Sequence, residues 1–196
     1  RMKVLVVGSG GREHALVWAI RRSKRVPQVY CAPGNGGTAQ EAINVPIGID
    51  QIEELAAFAK REAIDLTIIG PELPLTLGIV DRFEAQGLRV IGPSAAAARL
   101  EGSKAFAKAF MQRHGIPTSA CLETESLEEA LNAARSRSFG FPLVIKADGL
   151  AAGKGVIIAA NLEEAEAAIR QILEDRILGE AGSKILLEQF LIGEEV

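Results

Sequence analysis

The chain has 196 residues, 48% of them apolar by type and 24% charged, with a formal net charge of −3. That is long enough to bury a core and to hold one or two domains, in an ordinary globular balance. The charge gives no reason to expect nucleic acid or an anionic membrane as partner, and we expect neither a membrane span nor a signal peptide.

In chain order, Lys3–Val7 is an apolar run ending in Gly8-Ser9-Gly10-Gly11, and a helical pattern follows from Glu13 to about Ser23. The basic cluster Arg21-Arg22-Ser23-Lys24-Arg25 falls where that helix should end, where cations suit the carbonyl end of the dipole. Gln28–Ala32 reads as a second strand, Ile52–Arg61 as a helix and Leu66–Ile69 as a third strand, which ends at Gly70-Pro71-Glu72. Leu77–Gln86 reads as a helix, and Leu88–Ile91 as a strand ending at Gly92-Pro93-Ser94. Strands alternating with helices predict a parallel sheet with helices on both faces, whose ligands bind beyond the carboxyl ends of the strands.

Residues 95–114 read as nearly continuous helix, Ala95–Leu100 then Lys104–His114, stopped by Gly115-Ile116-Pro117. We therefore expect a Rossmann-like domain over 2–115 and a second, α+β domain over 116–196. In the second we expect strand Ser119–Leu122, helix Ser126–Ser136, strands Leu143–Lys146 and Val156–Ala159, helix Leu162–Leu173 and strand Lys184–Leu187. Ser126 with Glu129, and Asn161 with Glu164, have capping-box spacing.

The most informative stretch is Lys146-Ala147-Asp148-Gly149-Leu150-Ala151-Ala152-Gly153-Lys154-Gly155, between two strands. Glycines let backbone amides close on oxygens and lysines supply point charges, so the pattern suits polyphosphate. It is not a P-loop, because three residues rather than four separate Gly149 from Gly153, and Gly155 follows Lys154 where Ser or Thr should stand. A glycine-rich hairpin turn is the alternative reading.

The first glycine loop is not a dinucleotide fingerprint. Glu13 occupies the third glycine position, and no acid lies between Glu13 and Glu41 to hold a ribose diol. A glycine turn opening a helix still suits a phosphate or carboxylate, although it is equally the form of a tight strand-to-helix turn. His14 lies on an apolar helix stretch and is expected to be buried or half-buried; His114 ends a helix. Neither is assigned a catalytic role. Cys31 and Cys121 are isolated, with neither metal-ligand spacing nor a disulfide framework, so a reducing cytoplasm fits best.

Taken together, Gly8-Ser9-Gly10-Gly11-Arg12-Glu13-His14-Ala15, Gly70-Pro71-Glu72, Gly92-Pro93-Ser94, Gly102-Ser103-Lys104 and the Lys146–Gly155 loop resemble, in order and over Met2–Val196, the phosphoribosylamine–glycine ligases. These are ATP-grasp enzymes of purine biosynthesis. The resemblance implies a Rossmann-like sheet followed by the first α+β lobe of an ATP-grasp domain. It implies an ATP-dependent ligase joining glycine to 5-phosphoribosylamine through a glycyl phosphate, giving glycinamide ribonucleotide, ADP and phosphate. Carried over by position, Lys146 and Lys154 would be catalytic. Lys104, Lys146, Gly149, Gly153, Lys154 and Gly155 would hold the ATP phosphates, Glu188, Gln189 and Leu191 the adenine edge, and Glu195, or Glu194, the ribose. Gly10, Gly11, Arg12, Gly70, Pro71, Glu72, Gly92, Pro93 and Ser94 would face phosphoribosylamine.

Read without the resemblance, Lys104 is a solvated helix residue and the glutamates near 188–195 are exposed acids. The resemblance also implies Mg2+ whose ligands lie downstream of Val196, together with the glycine site, so we expect no metal site in this chain and no ligase activity from it alone. A different ATP-grasp carboxylate–amine ligase or carboxylase, and a nucleotide-binding module without turnover, are the alternatives; a dehydrogenase is disfavoured by the missing ribose acid.

Overall fold

A computed structural model describes residues 1–149 and 155–194 of the chain. Gly153, Lys154 and Glu195, expected above to bind nucleotide, lie outside the described residues. The chain divides into two compact units, Arg1–Ala98 and Arg99–Val196. The division falls upstream of the expected boundary near 116: the helix before Pro117 is tied to the second sheet through the Lys108–Glu188 ion pair.

In the first unit, β1 (Lys3–Gly8), α1 (Gly11–Arg21), β2 (Gln28–Pro33), β3 (Ile43–Asn44), α2 (Ile52–Arg61), β4 (Leu66–Ile69), α3 (Glu72–Thr76), α4 (Ile79–Ala85) and β5 (Val90–Ile91) follow in order. The strands form one parallel sheet, ordered β3-β2-β1-β4-β5. Continuous apolar strands are what a sheet covered on both faces requires. Leu5 and Val7 join Leu55, Phe58, Ile79 and Phe83 of α2 and α4 in one core, while Val4 and Val6 join Val17 of α1 in another. The chain winds one way from β1 to β3 and the other way from β4 to β5, so the topological switch point lies between β1 and β4.

The expected helix Leu77–Gln86 begins two residues late, as α4 at Ile79, because Gly78 adopts a left-handed backbone (φ 88°) between α3 and α4. The short elements α3 and β3 were not anticipated; β3 has two residues, too few for a periodicity to register.

α5 (Ala95–Gly102) carries the chain across the division. In the second unit come α6 (Lys104–Arg113), β6 (Cys121–Thr124), α7 (Leu127–Arg135), β7 (Leu143–Ala147), β8 (Val156–Ala159), α8 (Leu162–Leu173) and β9 (Ile185–Gln189). Gly115, at φ 64°, ends α6 in the left-handed conformation that suits a C-terminal glycine. The strands form an antiparallel sheet ordered β6-β9-β7-β8. Leu143, Ile145, Ile185 and Leu187 pack with Leu131, Ile169 and Ile172 of α7 and α8. By alternation, Val144, Lys146, Leu186, Glu188, Val156 and Ile158 therefore point to the opposite face.

The strand expected at Ser119–Leu122 is displaced to Cys121–Thr124, and the Ser119 carbonyl accepts from Lys108 Nζ at 3.0 Å instead of joining the ladder. Both expected N-caps form: Ser126 accepts from the Glu129 N–H at 3.3 Å and Asn161 from the Glu164 N–H at 3.0 Å.

Candidate functional site

At the switch point of the first sheet, Glu13 decides the geometry. It is the third residue of α1 yet only 3% exposed, and its Oε2 accepts the Gly10 N–H at 2.7 Å. An acid there satisfies an otherwise orphaned donor and the positive end of the helix dipole. Its side chain crosses the ends of β1 and β4: a Cβ added to Gly8 or Gly70 would overlap it. Both glycines are therefore required by Glu13, which stands where a dinucleotide-binding loop would have its third glycine.

Arg12 is bonded to Glu72 at 3.0 Å and to Glu13 at 3.3 Å, so the loops after β1 and β4 are tied across the switch point. The bond to Glu72 raises the Arg12 guanidinium above its ordinary range. Glu72 is lowered below the usual carboxylate range, first by its own backbone N–H and then by Arg12. Asn35, after β2, donates to the Ser9 carbonyl at 2.9 Å while its Oδ1 accepts the N–H groups of Gly37 and Thr38. Gly10, Gly11, Arg12, Gly70, Pro71 and Glu72 thus gather at one end of the sheet. Gly11 has open space where a side chain would stand. Gly92 has a packing role of its own, since a Cβ there would meet Leu75 at 2.7 Å and Val80 at 3.0 Å. Pro93 is exposed and Ser94 half-buried, and the Ser94 hydroxyl accepts from the Ala97 N–H at 3.3 Å.

His14 is half-buried, 3.6 Å from Glu41, and His114 is the C-cap of α6, lying against Phe110. Burial pushes the Cys31 thiol upward, and Cys121 is raised for the same leading reason.

In the second unit, the sheet face away from α7 and α8 carries a charged cluster. Lys146 donates to Glu188 Oε2 at 2.7 Å. The Glu188 side chain is only 6% exposed, against 30% for Lys146. Lys108, 7% exposed, reaches Glu188 Oε1 at 3.5 Å and donates to Thr118 Oγ1, the Ser119 carbonyl and Ser119 Oγ at 2.6, 3.0 and 2.9 Å. Ser119 in turn donates to Glu188 Oε2 at 3.2 Å. Beside Lys146 on this face, Val156 and Ile158 are 44% and 56% exposed. The face therefore offers an accessible apolar strip, a half-exposed ammonium and a fixed carboxylate.

Asp148, just past β7, anchors the start of α6. Its Oδ1 accepts the Ala105 N–H at 2.7 Å and the Ser103 hydroxyl at 3.0 Å, while Ser103 caps α6 by accepting from Phe106 at 3.1 Å. Lys104 Nζ donates to the Gly149 carbonyl at 3.1 Å, so Lys104 and Lys146 come to the same end of β7. The ends of the 149–155 loop are held as well: Gly149 N–H bonds Ala181 at 3.1 Å, and Ala147 N–H bonds Gly155 at 2.7 Å. A side chain on Gly149 would run into the backbone of Ala181. Leu191 is 63% exposed and Gln189 is also exposed at the end of β9.

Sequence reasoning missed Lys108, Ser119, Asp148 and the role of Glu13. The i, i+4 spacing of Lys104 and Lys108, and the acid three residues after Gly10, were the available signals. Among the described residues, no group of three His, Cys, Asp or Glu side chains could hold a metal ion, and no helix is long and apolar enough to cross a membrane.

Comparison with known proteins identifies the family. Residues 2–101 match the family described as phosphoribosylglycinamide synthetase, N domain, and residues 102–196 the same synthetase's ATP-grasp (A) domain. The chain is 57% identical, over 196 residues, to the phosphoribosylamine–glycine ligase of Xanthomonas axonopodis pv. citri, covering 99% of this chain and 45% of that one. It is 56% identical to the ligase of the same name from Escherichia coli O6:H1, with the same coverage. The crystal structure of the Thermotoga maritima phosphoribosylamine–glycine ligase matches with a TM-score of 0.75 at 35% identity, over 98% of this chain and 45% of that one. The chain thus spans less than half the length of these relatives.

Proposed function

The chain belongs to the phosphoribosylglycinamide synthetase family, and we propose that it supplies the phosphoribosylamine-binding sheet and the first nucleotide-binding lobe of an ATP-dependent ligase that joins glycine to 5-phosphoribosylamine. The observation that carries this reading is the sheet face of the second unit. There Val156 and Ile158 provide an apolar bed, and Lys146 a half-exposed ammonium beside buried Glu188. A base needs the first and polyphosphate the second.

In the reaction, a glycine carboxylate oxygen bonds to the γ-phosphorus of ATP as the bond to the ADP oxygen breaks. The amine of phosphoribosylamine then adds to the glycyl carbonyl, loses a proton and expels phosphate. The first step needs positioning and charge neutralisation rather than a protein nucleophile. Lys104 and Lys146 are assigned to the phosphates, Gly149–Gly155 with Lys154 to a cover over them, Glu188, Gln189 and Leu191 to the adenine edge, and Glu195 to the ribose. Holding the acyl phosphate in a closed site keeps water from it. In the first unit, Gly10, Gly11 and Arg12, with Gly70, Pro71, Glu72, Gly92, Pro93 and Ser94, are assigned to phosphoribosylamine. The open space beside Gly11 leaves room for its phosphate next to the Arg12 guanidinium. Magnesium, whose ligands the family resemblance puts outside this chain, enters no step assigned to these residues. Two free thiols, Cys31 and Cys121, suit a cytoplasmic setting.

Calorimetry with ATP, with and without magnesium, tests the reading on the wild type and on Lys146→Ala, with NADH as control. ATP binding that weakens in the variant while NADH stays silent is the expected result. NADH binding with ATP silent would overturn it.

A further inference from the structure

Among the described residues, two ammonium groups, those of Lys108 and Lys146, meet one carboxylate, that of Glu188. Lys146 alone would be neutralised by Glu188, at 2.7 Å, and the pair would carry no net charge. Lys108 changes that balance from beneath. It comes from α6, is buried, and is locked by three donated bonds to Thr118 and Ser119 at 2.6–3.0 Å. Its 3.5 Å approach to Glu188 Oε1 is an ion-pair distance rather than a good hydrogen bond. Lys108 therefore acts on Glu188 chiefly as a charge, and Ser119, bonded to both, keeps the two in register.

We propose that Lys108 is a positioning residue of the nucleotide face: it takes up the charge of Glu188 and so leaves Lys146 as an uncompensated cation for an incoming polyphosphate. This rests on the nucleotide reading above and adds to it a residue that need not touch the ligand. The excess charge of one surfaces at Lys146, the most exposed member of the cluster, which is where an anion could reach it. A buried cluster left with an odd charge is costly until an anion completes it, and completing it is a source of ligand affinity.

The test compares ATP with adenosine, which carries the base and ribose but no phosphate, by NMR titration of the chain at millimolar ligand. The readout is the ratio of the two affinities, which a merely structural lesion would leave unchanged because it weakens both ligands alike. Lys108→Met is expected to lower the ATP preference about tenfold, the effect of a unit charge roughly 10 Å away at an effective dielectric near 20. Glu188→Gln is expected to raise that preference, because both lysines are then uncompensated. The double variant Lys108→Met/Glu188→Gln should return it to the wild-type value.

An unchanged ratio in folded Lys108→Met, or a double variant that fails to restore it, overturns the proposal. Should Lys108→Met not fold, Glu188→Gln decides: an ATP preference that fails to rise is equally fatal. Lys146→Met separates this inference from the reading beneath it. If that variant leaves ATP binding intact, or if the wild type binds neither ligand, the nucleotide reading itself fails, and the proposal with it.

Discussion

Gly70→Ala tests whether Glu13 organises the switch point. The backbone of Gly70 is not left-handed, so alanine brings no conformational strain of its own. Its methyl group, however, would lie 2.6 Å from Glu13 Cδ, and Glu13 is 3% exposed. Either the carboxylate leaves, forfeiting a charge-assisted bond worth about 1.5–3 kcal/mol, or the strand shifts at an overpacking cost of about 1–3 kcal/mol. We expect a loss near 2 kcal/mol by either route. Glu13→Ala alone should cost about 2 kcal/mol through the lost bond to the Gly10 N–H.

Once Glu13 is gone the added methyl has room, so the double variant should be about as stable as Glu13→Ala. That is a coupling of about 2 kcal/mol. Gly8→Ala provides the contrast: at φ 137° it stays costly whether or not Glu13 is present. Urea denaturation followed by Trp18, the only tryptophan and a residue of α1, reads the first unit directly. Costs of Gly70→Ala and Glu13→Ala that simply add, within about 0.5 kcal/mol, would refute the reasoning.

Asp148→Ala should destabilise the second unit by about 2 kcal/mol, since it removes the acceptor for the Ala105 N–H and the Ser103 hydroxyl. Ser103→Ala should cost about 1 kcal/mol through the lost cap, and thermal melts of the pair should be less than additive because one network is shared. For Glu72 the folded state lowers the ionisation midpoint, so its contribution is fully present above the ordinary value of 4.5 and disappears as the pH falls through the lowered value. With Arg12 and Glu72 side chains 60% and 40% exposed, that contribution is well below about 1 kcal/mol; NMR titration should nevertheless find the Glu72 midpoint rising in Arg12→Gln. A thiol reagent should modify Cys121 before Cys31, which is fully buried; equal rates in native buffer would contradict the structure.

Much of the fold was legible because its signals are local. The apolar run at Lys3–Val7, the cap spacing at Asn161 and the Gly115-Ile116-Pro117 stop each act through a few neighbouring residues. The family resemblance was likewise carried by short runs in order. What escaped was short or non-local: the two-residue β3, the left-handed Gly78 that delays the start of one expected helix, and the two-residue shift of β6.

The candidate site shows the same division. By itself the sequence determined that glycine loops would end the strands and that Lys146 would close an apolar strand beside Asp148, because alternation and turn chemistry follow from adjacent residues. Only the tertiary structure decided what the charges meet. Lys108 and Glu188 are 80 positions apart, and Glu13 and Gly70 are 57 apart. A lysine read from its own helix is a solvated cation. Once antiparallel pairing sets Glu188 on the face beside Lys146, and α6 lays Lys108 beneath it, low exposure makes each charge answer to the others.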